Sequence, residues 1–111
     1  MTSLQSMVNL NFYRLMSKGL IVAQGVVHNP EGMQAYYERT PAVIEHFGGR
    51  VIAFTTDADC REGDGFPVWA VLEFPSLDAA RSYYNSEDYQ QNCKPLRLPH
   101  STFSVSLLEG V

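Results

Sequence analysis

The chain has 111 residues, 45% of them apolar and 18% charged, with a formal net charge of −4. That is one globular domain with room for a real core, and the composition is not that of a disordered or low-complexity chain. There is no basic stripe to hold nucleic acid, and no apolar run approaches the roughly 18–20 residues of a membrane span.

Residues 1–18 differ from the rest, carrying Arg14 and Lys18 but no acid. Leu4, Met7, Val8, Phe12, Leu15 and Met16 share one helical face behind a Thr2–Gln5 capping box, so an amphipathic helix is expected. As an N-terminal extension it reads as a segment upstream of a start at Met16, a helix docking on the domain, a membrane-surface helix or a weak transit peptide. No membrane partner is expected.

The domain then occupies residues 19–111. Residues 20–27 (LIVAQGVV) read as strand one. Asn29-Pro30-Glu31 supplies a cap, a first-turn proline and an acid for a helix. Met33, Tyr36, Tyr37, Thr40, Ile44 and Phe47 recur at helical spacing, with Pro41 expected to kink the helix after Thr40. Gly48-Gly49 stops it, and Arg50 opens strand two, residues 51–56. Residues 57–66 (DADCREGDGF) join strands two and three as an antiparallel pair. Asp57, Asp59, Glu62 and Asp64 suggest calcium, but Arg61 takes the third ligand place and no Glu closes the loop, so no metal is expected.

Residues 67–74 (PVWAVLEF) make strand three, ended by Pro75. Ser76 caps a helix with Asp78 in its first turn, and Leu77, Ala80 and Tyr84 share a face. Ser86-Glu87-Asp88 repeats the pattern and restarts a helix carrying Tyr89. Pro95 breaks that helix and Pro99 ends the helical region near Leu98. Residues 103–109 (FSVSLLE) form strand four. Cys60 and Cys93 lack C-x-x-C spacing, which fits a reduced, cytoplasmic setting.

The order β-α-β-β-α-β is that of a ferredoxin-like α+β sandwich, a four-stranded antiparallel sheet with helices on one face. Alternation sets Val68, Ala70, Leu72 and Phe74 against Trp69, Val71 and Glu73, and Leu20, Val22 and Val26 against Ile21, Ala23 and Val27. In strand two it sets Val51 and Ala53 against Ile52 and Phe54. Both faces are largely apolar. Leaving half a dozen such side chains wet, at roughly 1.5–3 kcal/mol each, forfeits on the order of 10 kcal/mol, as much as a whole domain's stability. A second copy covering the bare face is the simplest remedy, so a homodimer is expected.

The residues Pro30-Glu31, Tyr36, Pro41, Gly48-Gly49-Arg50, Glu62-Gly63, Glu73-Phe74-Pro75-Ser76, Ala79-Ala80, Tyr84, Ser86, Tyr89-Gln90 and Leu96-Arg97 carry a family likeness. Over residues 19–110 the chain resembles the family called domain of unknown function thirteen-thirty, of the dimeric α/β-barrel superfamily. It departs from the pattern at Met33, where a tyrosine is usual. The resemblance implies two ferredoxin-like sheets closing a barrel across a dimer, with no settled activity. The wider superfamily holds cofactor-free monooxygenases, isomerases and haem enzymes, which is analogy of fold only.

Glu73 shares a strand face with Trp69 and Val71, and reads either as an acid–base carboxylate or as an ion-pair partner of Arg50 or Arg97. Arg97 and Arg50 are candidate anion clamps. Tyr36, Tyr84 and Tyr89 face the sheet, as core or as substrate contacts. His28, His46 and His100 lack metal spacing. Cys60 lies in an acidic loop, and Cys93 is expected in helix packing. One reading is a cofactor-free enzyme, monooxygenase-, isomerase- or lyase-like, acting on a small apolar or anionic molecule between sheet and helices. It would use Glu73 and Arg97 as catalytic groups, with Tyr36, Arg50, Trp69 and Tyr89 at the substrate. The other reading is a non-catalytic binding or structural dimer with the same pocket.

Overall fold

The structure, a computed structural model, describes residues 17–111. The amphipathic helix expected at the N-terminus lies outside the described residues, apart from Ser17 and Lys18. Four strands, β1 (Gly19–Val27), β2 (Arg50–Thr55), β3 (Val68–Phe74) and β4 (Ser101–Glu109), form one antiparallel sheet in the order β2-β3-β1-β4. Helix α1 (Gln34–His46) connects β1 to β2, and the short helices α2 (Leu77–Asn85), α3 (Glu87–Asn92) and α4 (Lys94–Arg97) connect β3 to β4. This is the ferredoxin-like arrangement the element order implied.

Local chemistry sets the helix ends. Asn29 Oδ1 accepts from the Gly32 amide, 3.3 Å, opening the 3-10 turn Glu31–Met33 that leads into α1. The helix continues through Pro41, with Thr40 and Ile44 on either side of it buried. It ends at Gly48, whose φ of +81° suits only glycine, and the Gly49 amide donates back to the Ile44 carbonyl at 2.9 Å. Ser76 Oγ accepts from the Ala79 amide (3.0 Å) and Ser86 Oγ from the Tyr89 amide (3.1 Å), so both expected serine caps form.

Ile21, Ile44, Leu72, Phe74, Ala80, Tyr83, Tyr89 and Cys93 make the core between sheet and helices. Strand β2 departs from simple alternation. Its register against β3 shifts between Val51 and Ala53, leaving Ile52 as the extra residue of a bulge. Phe54 therefore stands opposite Ala70 and Val51 opposite Leu72, both on the helix side, while Ala53 turns to the other face opposite Val71. Strict alternation had set Val51 and Phe54 on opposite faces.

On the sheet's other face lie Leu20, Val22 and Val26 of β1, Trp69 and Val71 of β3, and Leu108 of β4, with cross-strand neighbours Val22–Val71 and Leu20–Leu108. No described element covers them. The apolar band is narrower than alternation implied, because β4 contributes Thr102, Ser104 and Ser106 and β1 contributes Gln24 to the same face.

Candidate functional site

Between sheet and helices lies a cavity of about 420 Å³, within the range of small-molecule sites. The floor is Ile21 and Ala23 of β1, Val68, Ala70 and Leu72 of β3, and Phe103 and Val105 of β4. The 3-10 turn before α1 supplies Met33, α1 itself supplies Tyr36, Tyr37, Thr40 and Ile44, and the second helical region supplies Tyr83, Tyr84, Tyr89 and Arg97. The inner residues are sealed, as Met33 (1% exposed), Tyr83, Tyr89 and Arg97 show. Tyr37, Val51 and Phe54 are between 41% and 52% exposed, which places the mouth between α1 and the edge strand β2.

The polar chemistry gathers at the inner end. Arg97 is 6% exposed, and none of the ion pairs among the described residues involves it. Its Nε donates to Tyr89 Oη at 3.1 Å, and that hydroxyl lies 3.0 Å from Tyr36 Oη. The guanidinium also stands over the Tyr36 and Phe103 rings, 6.0 and 5.8 Å from their centroids, a cation–π placement. Tyr89 accepts from Arg97, and either hydroxyl of the Tyr89–Tyr36 pair can donate to the other; with Tyr89 as the donor, the Tyr36 proton is available to the cavity. The chain Arg97–Tyr89–Tyr36 thus presents hydrogen-bond donors and one positive charge in an apolar setting.

Electrostatics keep these groups in fixed states. Burial, the largest influence on Arg97, works against its charge, and hydrogen bonds to the Tyr89 and Tyr36 hydroxyls work for it, so the guanidinium stays protonated but without a counter-ion among the described residues. Burial, then the neighbouring Tyr89 hydroxyl, push Tyr36 well above the usual tyrosine range, and burial with Tyr36 and Tyr89 does the same to Tyr83. Thr40 Oγ1 has no hydrogen-bond partner of good geometry; its polar neighbour is the Cys93 thiol, a weak donor that burial pushes up.

Those raised tyrosines give a pH prediction. In the unfolded chain Tyr36 and Tyr83 ionise near pH ~10, while the folded chain holds both protons to higher pH. Above pH ~10 the unfolded state therefore binds fewer protons, and stability falls as pH rises, by up to roughly 1.4 kcal/mol per pH unit for each tyrosine. Guanidinium unfolding midpoints measured from about pH 9 to 11.5 should be level and then drop. A flat profile across that range would show that neither hydroxyl is sealed in.

The six residues singled out in the sequence divide into two groups. Tyr36, Tyr89 and Arg97 meet in the cavity. Glu73, Arg50 and Trp69 lie on the opposite sheet face, because the period of two that points Val68, Ala70 and Leu72 at the cavity points residues 69, 71 and 73 away from it. Within one chain Glu73 and Arg97 are thus not partners in one site. Glu73 Oε1 pairs with Arg50, 3.1 Å from Nη2 and 3.2 Å from Nε, and the Trp69 Nε1–H donates to the Phe66 carbonyl at 2.9 Å. The Arg50 side chain is 72% exposed, so such a pair contributes about 1 kcal/mol or less. Glu73→Gln should cost no more than that in a denaturant melt and leave cavity binding unchanged; a loss of several kcal/mol, or of ligand affinity, would count against this placement.

Tyr83, Tyr37 and Phe103 also shape the cavity, and sequence reasoning did not single them out as site residues. Tyr83 follows Ala80 by one helical turn, a spacing that was legible; the turn of Phe54 toward the cavity was not, because it depends on the bulge. Among the described residues, no group of three or more His, Cys, Asp or Glu side chains gathers as a metal cluster. In the acidic loop Arg61 pairs with Asp59 (2.9 Å), and the Cys60 thiol faces the Glu62 and Gly63 carbonyls. His28 bonds Thr102, His100 bonds Asn29, and His46 packs on Phe47, so the three histidines serve separate local contacts.

Residues 18–111 match the model of the family described as Domain of unknown function (DUF1330). The chain belongs to this family. No curated protein matches it. Among solved structures, the DUF1330 chain is similar to a protein of unknown function from Rhodopseudomonas palustris, at 13% identity and TM-score 0.68, covering 100% of this chain and 95% of that one. It is also similar to SnoaB, a cofactor-independent oxygenase from Streptomyces nogalater, at 20% identity, TM-score 0.54 and coverage of 83% and 91%. A third is a dimeric ferredoxin-like protein of unknown function from Thermobifida fusca, at 14% identity, TM-score 0.53 and coverage of 89% and 96%. These likenesses establish the ferredoxin-like fold of the DUF1330 chain. No helix among its described residues is long and apolar enough to cross a membrane.

Proposed function

We propose that this DUF1330 chain binds a small, largely apolar molecule carrying one negative charge, held by Arg97 and the Tyr36 hydroxyl in the cavity between sheet and helices. The observation that carries the reading is a buried guanidinium with no carboxylate partner among the described residues, at the closed end of an apolar cavity. A buried charge without a counter-ion costs several kcal/mol, and a ligand that brings the counter-ion repays it on binding. Arg97 supplies the only charge among the described lining residues, and Tyr36 and Tyr83 are held neutral, so the site matches a monoanion better than a dianion.

The comparison that tests this is calorimetry with 1-naphthoate against the neutral 1-naphthalenemethanol. Hydrogen bonds to a charged group favour the carboxylate by roughly tenfold or more. Equal affinities, or no binding of either, would remove Arg97 from the role of anion receptor.

The same donors suit a cofactor-free enzyme, because a preorganised guanidinium and hydroxyl stabilise charge that develops on a substrate oxygen. Among the described lining residues no carboxylate or imidazole is present, so the cavity is built to stabilise an anion more than to remove a proton. Likeness of fold to a cofactor-independent oxygenase supports this second reading as analogy.

The assembly belongs to the proposal. Leu20, Val22, Val26, Trp69 and Val71 are each only partly buried on a face that no described element covers, and a structural relative is a dimer. Two such faces meeting about a two-fold axis cover both bands at once. The cavities then lie on the outer, helix-covered side of each sheet, one to a chain.

A further inference from the structure

The mouth of the cavity has a structure of its own. Tyr37 of α1 and Phe54 of β2 meet edge to face across it, ring centroids 5.8 Å apart and planes at 77°. Both rings line the cavity, and both are large apolar groups left 41% and 52% exposed. Phe54 reaches this position only because of the bulge at Ile52. Without the extra residue, alternation would turn Phe54 to the face away from Val51 and leave the entrance open. Bulges recur beside functional sites because they re-aim a side chain, and here the re-aimed side chain is the one that meets Tyr37.

The elements behind the two rings differ in rigidity. Helix α1 is anchored by the buried Thr40 and Ile44. Strand β2 is a sheet edge paired only with β3, and five of its six residues are exposed. The ring on the edge strand is therefore the one with room to swing, since its strand is held from one side only.

We infer that the Tyr37–Phe54 ring pair is the gate of the cavity, and that it selects for narrow, flat ligands. This rests on the reading of the cavity as a ligand site. It does not rest on the charge of the ligand, so it is tested without an anion. Ala70, on the cavity floor, is replaced by cysteine in a Cys60→Ser background of the full chain. The thiol is then timed against the neutral disulfide 4,4′-dithiodipyridine, a flat aromatic reagent. Cys93 is fully buried and is not among the cavity-lining residues, so its reaction in the same sample reports general opening of the fold.

Loss of an edge-to-face pair should raise the open fraction by roughly three- to tenfold. In Phe54→Leu and in Tyr37→Leu the Ala70→Cys thiol should therefore react about that much faster while Cys93 holds its rate. A larger gain is expected for bulky than for slim disulfides. Unchanged Ala70→Cys rates in both variants would overturn the gate. So would a gain that Cys93 shares in full in both, since that is the signature of a loosened fold. Naphthoate binding by the same variants separates the two proposals: if the carboxylate binds no better than the alcohol while the thiol rates behave as described, the anion reading fails and the gate stands.

Discussion

Arg97→Met should make the empty protein more stable and the site nearly useless for an anion. The guanidinium is buried, its Nε is engaged by Tyr89, and no carboxylate among the described residues balances its charge. An apolar side chain of similar reach removes the desolvation penalty. Tyr89 keeps Tyr36 as a hydroxyl partner, 3.0 Å away, so no lone polar group is stranded. Replacing buried charged groups by well-packed apolar ones is neutral or stabilising by roughly 1–4 kcal/mol; the lower end, about 1–2 kcal/mol, is expected here because a hydrogen bond and two ring contacts are lost as well. Naphthoate affinity should fall by on the order of 100-fold, the loss of a charge-assisted pair of about 3 kcal/mol, while naphthalenemethanol is scarcely affected. A denaturant melt and a titration on one preparation settle the matter. An Arg97→Met protein that melts earlier and binds naphthoate as before would show that the arginine holds the fold and takes no ligand. Stability surrendered at one buried position is what a binding site looks like before its ligand arrives.

The fold was legible in the sequence because its signals were local and mutually consistent. Asn29, Ser76 and Ser86 are caps whose side chains have few competing uses, and Gly48 takes the one backbone conformation that glycine favours. The period-two runs in β1 and β3 fixed which side chains share a face. Half of the site followed from that: Tyr36, Tyr89 and Arg97 stand on helix faces that must turn toward the sheet. Glu73 and Trp69 were chosen for being unusual in an apolar strand, and that criterion says nothing about which face holds the cavity. Their own alternation with Val68, Ala70 and Leu72 already separated them from it. Phe54 was beyond reach for a different reason. A bulge is a property of the pairing between two strands, and the β2 sequence alone carries no mark of where its pairing with β3 will skip a residue.

Val22→Asp should convert the protein to single chains. Val22 lies at the centre of the open face, opposite Val71 on one side and Ser106 on the other. In one chain that position is only partly buried, so a carboxylate there keeps contact with water and the fold tolerates it. In the proposed dimer two such carboxylates, related by the two-fold, would be sealed from water without a cation. Each unpaired buried charge costs several kcal/mol, and the pair adds mutual repulsion, so the dissociation constant should rise by at least about a thousandfold. Sedimentation equilibrium at micromolar concentration reads the result directly: wild type at twice the 12.5 kDa chain mass, Val22→Asp at 12.5 kDa. Naphthoate distinguishes a true monomer from a ruined fold, because the cavity opens on the helix side of the sheet and needs nothing from a partner. A Val22→Asp chain that sediments singly and still binds the carboxylate places the interface and the ligand site on opposite faces of one sheet. Wild-type protein that sediments as a single stable chain would mean that the half-dozen apolar side chains of the open face are covered from within the chain, and the case for a second copy would be lost.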